Sequence, residues 1–212
     1  MTFAELFRAG GLLMWPLAVL SVFALADAVY LLVALRAGAV APRALVRDVL
    51  DAVRAGDFAA ARKECDWRPC PFSRVALAAL DAARVLPHGE SAALSAAVEG
   101  EGSREAARLS ASAQWLLDIA AVAPMLGLLG TVLGMFTAFQ GVGGDMVASA
   151  KPVVLAQGVS LALVTTVAGL VVAIPCMILY AFMRRRAESR TAALEIASQD
   201  LVNALLAGPP RQ

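Results

Sequence analysis

Apolar residues along the chain gather in three blocks, at roughly 11–35, 115–139 and 158–182. Each is long enough for the ~20 residues that a helix needs to cross a bilayer core. Between the first and second blocks the pattern turns periodic. In "APRALVRDVLDAVRAG", Leu45, Val49 and Val53 share one face at four-residue spacing, and Gly56 can end that helix. Asp57 then fits as the N-cap of "FAAARKEC". The prolines of "WRPCP" break the pattern, and a third short helix covers about 73–85, stopped near "LPHG".

From Ser91 no proline occurs until Pro124, so 91–139 reads as nearly one helix, with bends at Gly100 and Gly102. At 1.5 Å per residue that is roughly 70 Å, and about half of it must project beyond the bilayer. The third block likewise continues past its arginines. Leu194, Ala197, Leu201 and Leu205 recur at three- and four-residue steps until Gly208-Pro209-Pro210. Helices this long need neighbours along their length, which predicts an oligomer. The boundaries that follow are a first span within 1–36, a helical region at 37–112, a second span at 113–140, a connector at 141–152, a third span at 153–183, and a C-terminal helix and tail at 184–212. "ALA" at 24–26 resembles a signal-peptide cleavage site, but the apolar run continues through "VYLLVAL", so an uncleaved span is expected.

Composition agrees. The chain is 60% apolar and 17% charged, against about half and a quarter in soluble domains. An all-α, multi-pass membrane protein is the fold class. A net charge of +1 gives no field for nucleic acid. Arg36, Arg43 and Arg47 follow the first block, Arg104 and Arg108 precede the second, and Arg184, Arg185 and Arg186 close the third; the connector offers only Lys151. The positive-inside rule then puts 36–114 and the C-terminus in the cytoplasm and the N-terminus outside, with Arg8, beside Glu5, weakly opposed. Cys65 and Cys70 fall in the region expected to stay reduced, Cys176 lies in the third block, and His88 is the one histidine. That set makes neither a zinc site nor a cysteine nucleophile, and no metal or cofactor is expected. Scattered carboxylates with one histidine supply no cluster for a membrane enzyme.

Small residues repeat on two faces. Ala123, Gly127, Thr131, Gly134 and Ala138 follow helical spacing in the second block; Gly158, Ala162, Thr166, Gly169 and Ala173 do so in the third. Such faces let helices approach closely in lipid, and together with Gly130 they are expected to pack a ring of identical subunits. Pro175 marks a helix end. A mid-span threonine can bond back to its own helix or serve a function; spacing alone leaves both open.

The stretches "APMLGLLGTVLGMFTAF" and "GVSLALVTTVAGLVVAIP" resemble the pore helices of the MotA/TolQ/ExbB family of proton-channel subunits, closest to the ExbB/TolQ type. "GDFAAARKEC…PFSRVALAAL" and "EGEGSREAARL" are similar to the ExbB form of the region before them. The resemblance implies a three-span subunit in the family's usual pentameric ring. The ring would enclose the single-span helices of a dimeric ExbD/TolR-type partner, whose membrane aspartate carries protons. It also implies a TonB- or TolA-like protein further along, and an inner-membrane location. On matching positions Thr131 and Thr166 look like the pore threonines, with Thr165 assisting. Leu161 stands where the family carries a glutamate, Tyr30 and Leu31 replace a Glu-Arg pair, and Ala181 follows Tyr180 where asparagine is frequent. Asp27, inside the first span, is either a proton relay or an interhelix pairing; Asp118 is a proton exit group or an interface carboxylate. The alternative to the proton-driven ring is a passive scaffold that anchors a single-span partner.

Overall fold

The structure is a computed structural model, and it describes residues 11–36, 38–85, 91–143 and 151–207. After a 3₁₀ turn at Gly11–Leu13 the described elements are all α-helices: α1 Met14–Ala34, α2 Arg43–Arg54, α3 Phe58–Trp67, α4 Pro71–Val85, α5 Ser91–Gly143 and α6 Lys151–Ala207. Three of these helical stretches, Gly11–Ala34, Ser91–Val142 and Pro152–Ala207, are long and apolar enough to cross a membrane. The long helix read from Ser91 runs unbroken through Gly100, Gly102 and Pro124. His88, Arg8, Glu5, the middle of the connector and Gly208-Pro209-Pro210 lie outside the described residues.

Pro175 is not at a helix end. It lies inside α6, which continues to Ala207. A proline removes one backbone donor, but packed neighbours can re-satisfy the freed carbonyl, so spanning helices tolerate it.

By its contacts the chain divides into two units, 1–30 with 114–182, and 31–113 with 183–212. The second is a helical bundle. Leu45, Val49 and Val53 of α2 are fully buried, with Phe72, Val75 and Ala79 of α4. Leu94 and Val98 of α5 and Leu194 and Leu201 of α6 complete that core. Each large apolar side chain so buried contributes about 1.5–3 kcal/mol. Gly56 takes φ +77°, the left-handed turn that closes α2. Asp57 accepts from the Ala60 N–H at 2.9 Å, an N-cap worth ~1 kcal/mol.

One buried charge ties this unit together. Glu105 of α5 is 1% exposed and receives both Nε and Nη2 of Arg74 from α4, and Nη1 of Arg108 at 2.6 Å. Burial pushes its carboxyl up, but the hydrogen bond and charge of Arg74, with Arg108 behind, outweigh it and hold the group below the usual glutamate range. Where α1 ends, the Leu35 carbonyl accepts from Arg186 Nε at 2.9 Å and Arg190 Nε at 3.4 Å, cations suited to a helix C-terminus.

In the first unit α5 and α6 form an antiparallel hairpin with almost no side-chain layer between them. A Cβ added at Gly127 would lie 3.0 Å from the Thr165 carbonyl, at Gly134 3.0 Å from the Gly158 carbonyl, and at Gly169 2.6 Å from the Ala123 carbonyl. At Gly158 it would collide with Ala138 Cβ. Ala123, Ala162 and Ala173 are buried with them. The small residues read as ring contacts therefore pack two helices of one chain together. Close backbone approach uses them up inside the subunit.

Candidate functional site

The seam follows Ala123, Gly127, Gly130, Gly134 and Ala138 on α5, and Gly158, Ala162, Thr165, Gly169 and Ala173 on α6, all of them buried. The three-residue step falls at Gly130 and Thr165, not at Thr131 and Thr166. At 3.6 residues per turn, Thr131 and Thr166 each sit about 60° from the seam centre, in the same rotational sense. In an antiparallel pair, equal offsets of one sense put both residues on the same side of the hairpin. Gly130 packs on Thr165 and Gly127 on Thr166, so the two threonines differ in depth by about three residues, ~4.5 Å.

Residues at the opposite offset, Leu126 on α5 with Ala168 and Val172 on α6, pack against Met14 and Leu17 of α1. Leu161 belongs to that side too, 3.5 Å from where a Gly11 Cβ would stand. The position that the resemblance to ExbB proteins pairs with a glutamate thus turns toward the first span, away from the threonine side. The threonine side itself is open and otherwise apolar: Leu128 and Leu163 are each 62% exposed, and Met135 and Leu170 are also uncovered.

Thr165, read as an assisting residue, is 1% exposed within the seam. Its hydroxyl donates to the Ala162 carbonyl at 2.9 Å, with Gly127 O at 3.4 Å. Thr131 Oγ1 donates to Leu128 O at 2.7 Å, and Thr166 Oγ1 lies 3.3 Å from Ala162 O and 3.4 Å from Gly127 O. Each hydroxyl proton is engaged by a carbonyl, so Thr131 and Thr166 present oxygen lone pairs to the open side. In this state they can accept from a protonated acid; to donate to a carboxylate they must rotate off the backbone.

The two carboxylates join no threonine. Asp118 is exposed, with Gln114 Nε2 at 3.5 Å. Asp27 is half-buried, and its Oδ2 has no hydrogen-bond partner. Among the described residues no group of three His, Cys, Asp or Glu could hold a metal. The sequence missed the seam register, because residues three and four apart both satisfy a small-residue face; only the partner helix selects between them.

Three helices long and apolar enough to cross a membrane, and no strand among the described residues, define an all-α multi-pass membrane protein. The profile of the MotA/TolQ/ExbB proton channel family matches residues 69–196. The chain is 35% identical over 182 residues to a biopolymer transport ExbB-like protein of Synechocystis sp., covering 82% of this chain and 67% of that one. It is 28% identical over 196 residues to a biopolymer transport ExbB homolog of Methanothermobacter thermautotrophicus, covering 92% and 67%. Against the Tol-Pal system protein TolQ of Pseudomonas aeruginosa it is 37% identical over 86 residues, 41% of this chain and 36% of that one. The chain belongs to the MotA/TolQ/ExbB proton channel family. It is a multi-pass inner-membrane protein and a proton-channel, energy-transduction subunit in the general sense of that family.

Proposed function

We propose that the chain forms the ring, a pentamer, of a proton-driven motor around the helices of a dimeric ExbD/TolR-type partner. It is oriented with its N-terminus in the periplasm and its C-terminus in the cytoplasm. Proton flow drives work in the cell envelope, in TonB-type transport or Tol-type maintenance; relatives named biopolymer transport protein ExbB and Tol-Pal system protein TolQ match this chain. The observation that carries the reading is the placement of Thr131 and Thr166 on one open side of the hairpin, opposite α1. Turned inward in a ring, that side presents hydroxyl oxygens in an otherwise apolar pore, where an uncharged group can meet the partner's acid without the cost of a buried ion.

The mechanism assigned to them is a two-way contact. A protonated partner aspartate donates to the threonine lone pairs. When it releases its proton, the hydroxyl leaves its own backbone carbonyl and donates to the carboxylate, an exchange of one hydrogen bond worth ~0.5–1.5 kcal/mol for another. Thr165, sealed in the seam, fixes the spacing of the two helices, and Leu161 supplies no acid. Proton carriage therefore rests on the partner.

The test is Thr166→Val and Thr131→Val, which keep volume and remove the hydroxyl. Both variants should still co-purify with the partner, since at most ~1–2 kcal/mol of interhelix bonding is involved, while proton-driven activity in cells falls sharply. Thr166→Ser should be partly active. Valine variants that assemble and work normally would return the threonines to ordinary packing and favour the passive scaffold.

A further inference from the structure

We propose that the arginine-lined groove between α2 and the C-terminal half of α6 binds the headgroup of an anionic phospholipid, from the leaflet on the arginine-rich side of the membrane. The groove has a volume of about 950 Å³, and its charged lining is Arg43, Arg47, Arg54, Arg190, Asp51 and Asp200. Asp51 is engaged by Arg54 at 3.7 Å. Arg47 pairs at 4.0 Å with Asp48, which Arg68 approaches more closely at 3.5 Å, and Arg43 and Arg190 share the lining with Asp200.

Arg43 is poorly placed for the helix that bears it. Arg43 opens α2, whose first turn holds no acidic residue and whose Pro42 cap makes no side-chain bond. A helix N-terminus disfavours positive charge, and Arg43 is in no ion pair among the described residues, so the charge at this helix end is uncompensated. A phosphate would be attracted by both the guanidinium groups and the helix end.

Depth selects the source of that phosphate. Arg190 reaches the Leu35 carbonyl, directly after the last residue of α1. The groove therefore opens where the spanning helix leaves the hydrocarbon and runs ~15 Å along α6 from Arg190 to Asp200. Lipid headgroups occupy that level at high density, and basic pockets beside spanning helices hold anionic ones. A soluble phosphate has no comparable concentration there.

The experiment is native mass spectrometry on the full-length, delipidated protein, titrated with phosphatidylglycerol or with zwitterionic phosphatidylethanolamine, and then challenged with inorganic phosphate. The wild type should prefer phosphatidylglycerol by about thirty-fold, as two surface arginines at ~1 kcal/mol each give. Arg43→Gln/Arg47→Gln should lose that preference, Arg43→Gln alone should weaken it, and Arg84→Gln, exposed and away from the groove, should keep it. Phosphate should not displace the lipid. Equal binding of the two lipids by the wild type, or an unchanged preference in Arg43→Gln, whose side chain makes no ion pair among the described residues, would overturn the proposal. So would displacement by phosphate, which would mark a site for a free anion.

Discussion

Gly130→Ala adds a single methyl group at the tightest point of the hairpin. The new Cβ would stand 2.6 Å from Thr165 Cβ and 3.0 Å from its Cγ2, and it would overlap Oγ1. Carbon atoms rest about 3.5–4.0 Å apart, so the helices must part by roughly 1 Å. Overpacking of this kind costs ~1–3 kcal/mol. Three Thr165 atoms within 3.0 Å put this site in the upper part of that range, so the ~1 kcal/mol that alanine regains over glycine in a helix leaves a net loss of ~1–2 kcal/mol. Gly100→Ala is the matched control. It sits inside the same helix, and its Cβ would meet nothing within 4 Å, so it should gain ~0.5–1 kcal/mol. Thermal unfolding in mild detergent, followed by circular dichroism, should move the two midpoints in opposite directions, by about 2–4 °C per kcal/mol. The swap Gly130→Ala/Thr165→Gly, which restores room across the seam, should recover much of the loss. A Gly130→Ala protein as stable as wild type, or no recovery in the swap, would refute the register of the seam.

Three further outcomes concern the helical bundle. Glu105→Gln should destabilise it by ~2–4 kcal/mol in chemical unfolding, because Arg74 and Arg108 lose the charge they converge on. Since the folded carboxyl lies below its ordinary range, its contribution is complete above the unfolded pKa of ~4.3 and is lost as pH falls through the folded value. Wild-type stability should therefore decline below about pH 4.3 more steeply than that of Glu105→Gln. Burial, with Cys70 nearby, pushes the Cys65 thiol up to about 12, so maleimide at neutral pH should leave Cys65 unlabelled until the bundle unfolds.

What was legible in the sequence was local. Apolar runs give the spans, Gly56 and Asp57 punctuate α2 and α3, and the absence of proline between Ser91 and Pro124 gives the unbroken first part of α5. Each of those signals lies within a few residues of the feature it sets. The seam was only half legible. Gly130 and Thr131, like Thr165 and Thr166, are neighbours on a wide small-residue face, and the choice between them is made by a helix about 35 residues away. The same holds for Arg74 and Glu105, 31 residues apart, and for Leu161, whose facing depends on where α1 docks. Pro175 misled for a different reason: in water a proline usually ends a helix, whereas inside a membrane the surrounding packing carries the helix past it.

The central claim is that the side of the hairpin bearing Thr131 and Thr166 faces the partner's helix. Disulfide trapping tests it directly in the assembled complex, with Cys176 replaced and single cysteines placed along the partner's span. Met135→Cys and Leu170→Cys lie on the threonine side; Leu133→Cys and Val171→Cys are comparably exposed but turned away from it. The account predicts cross-links to the partner from Met135 and Leu170 and none from Leu133 or Val171. Cross-links from Leu133 or Val171 alone would place the pore on another face and contradict it.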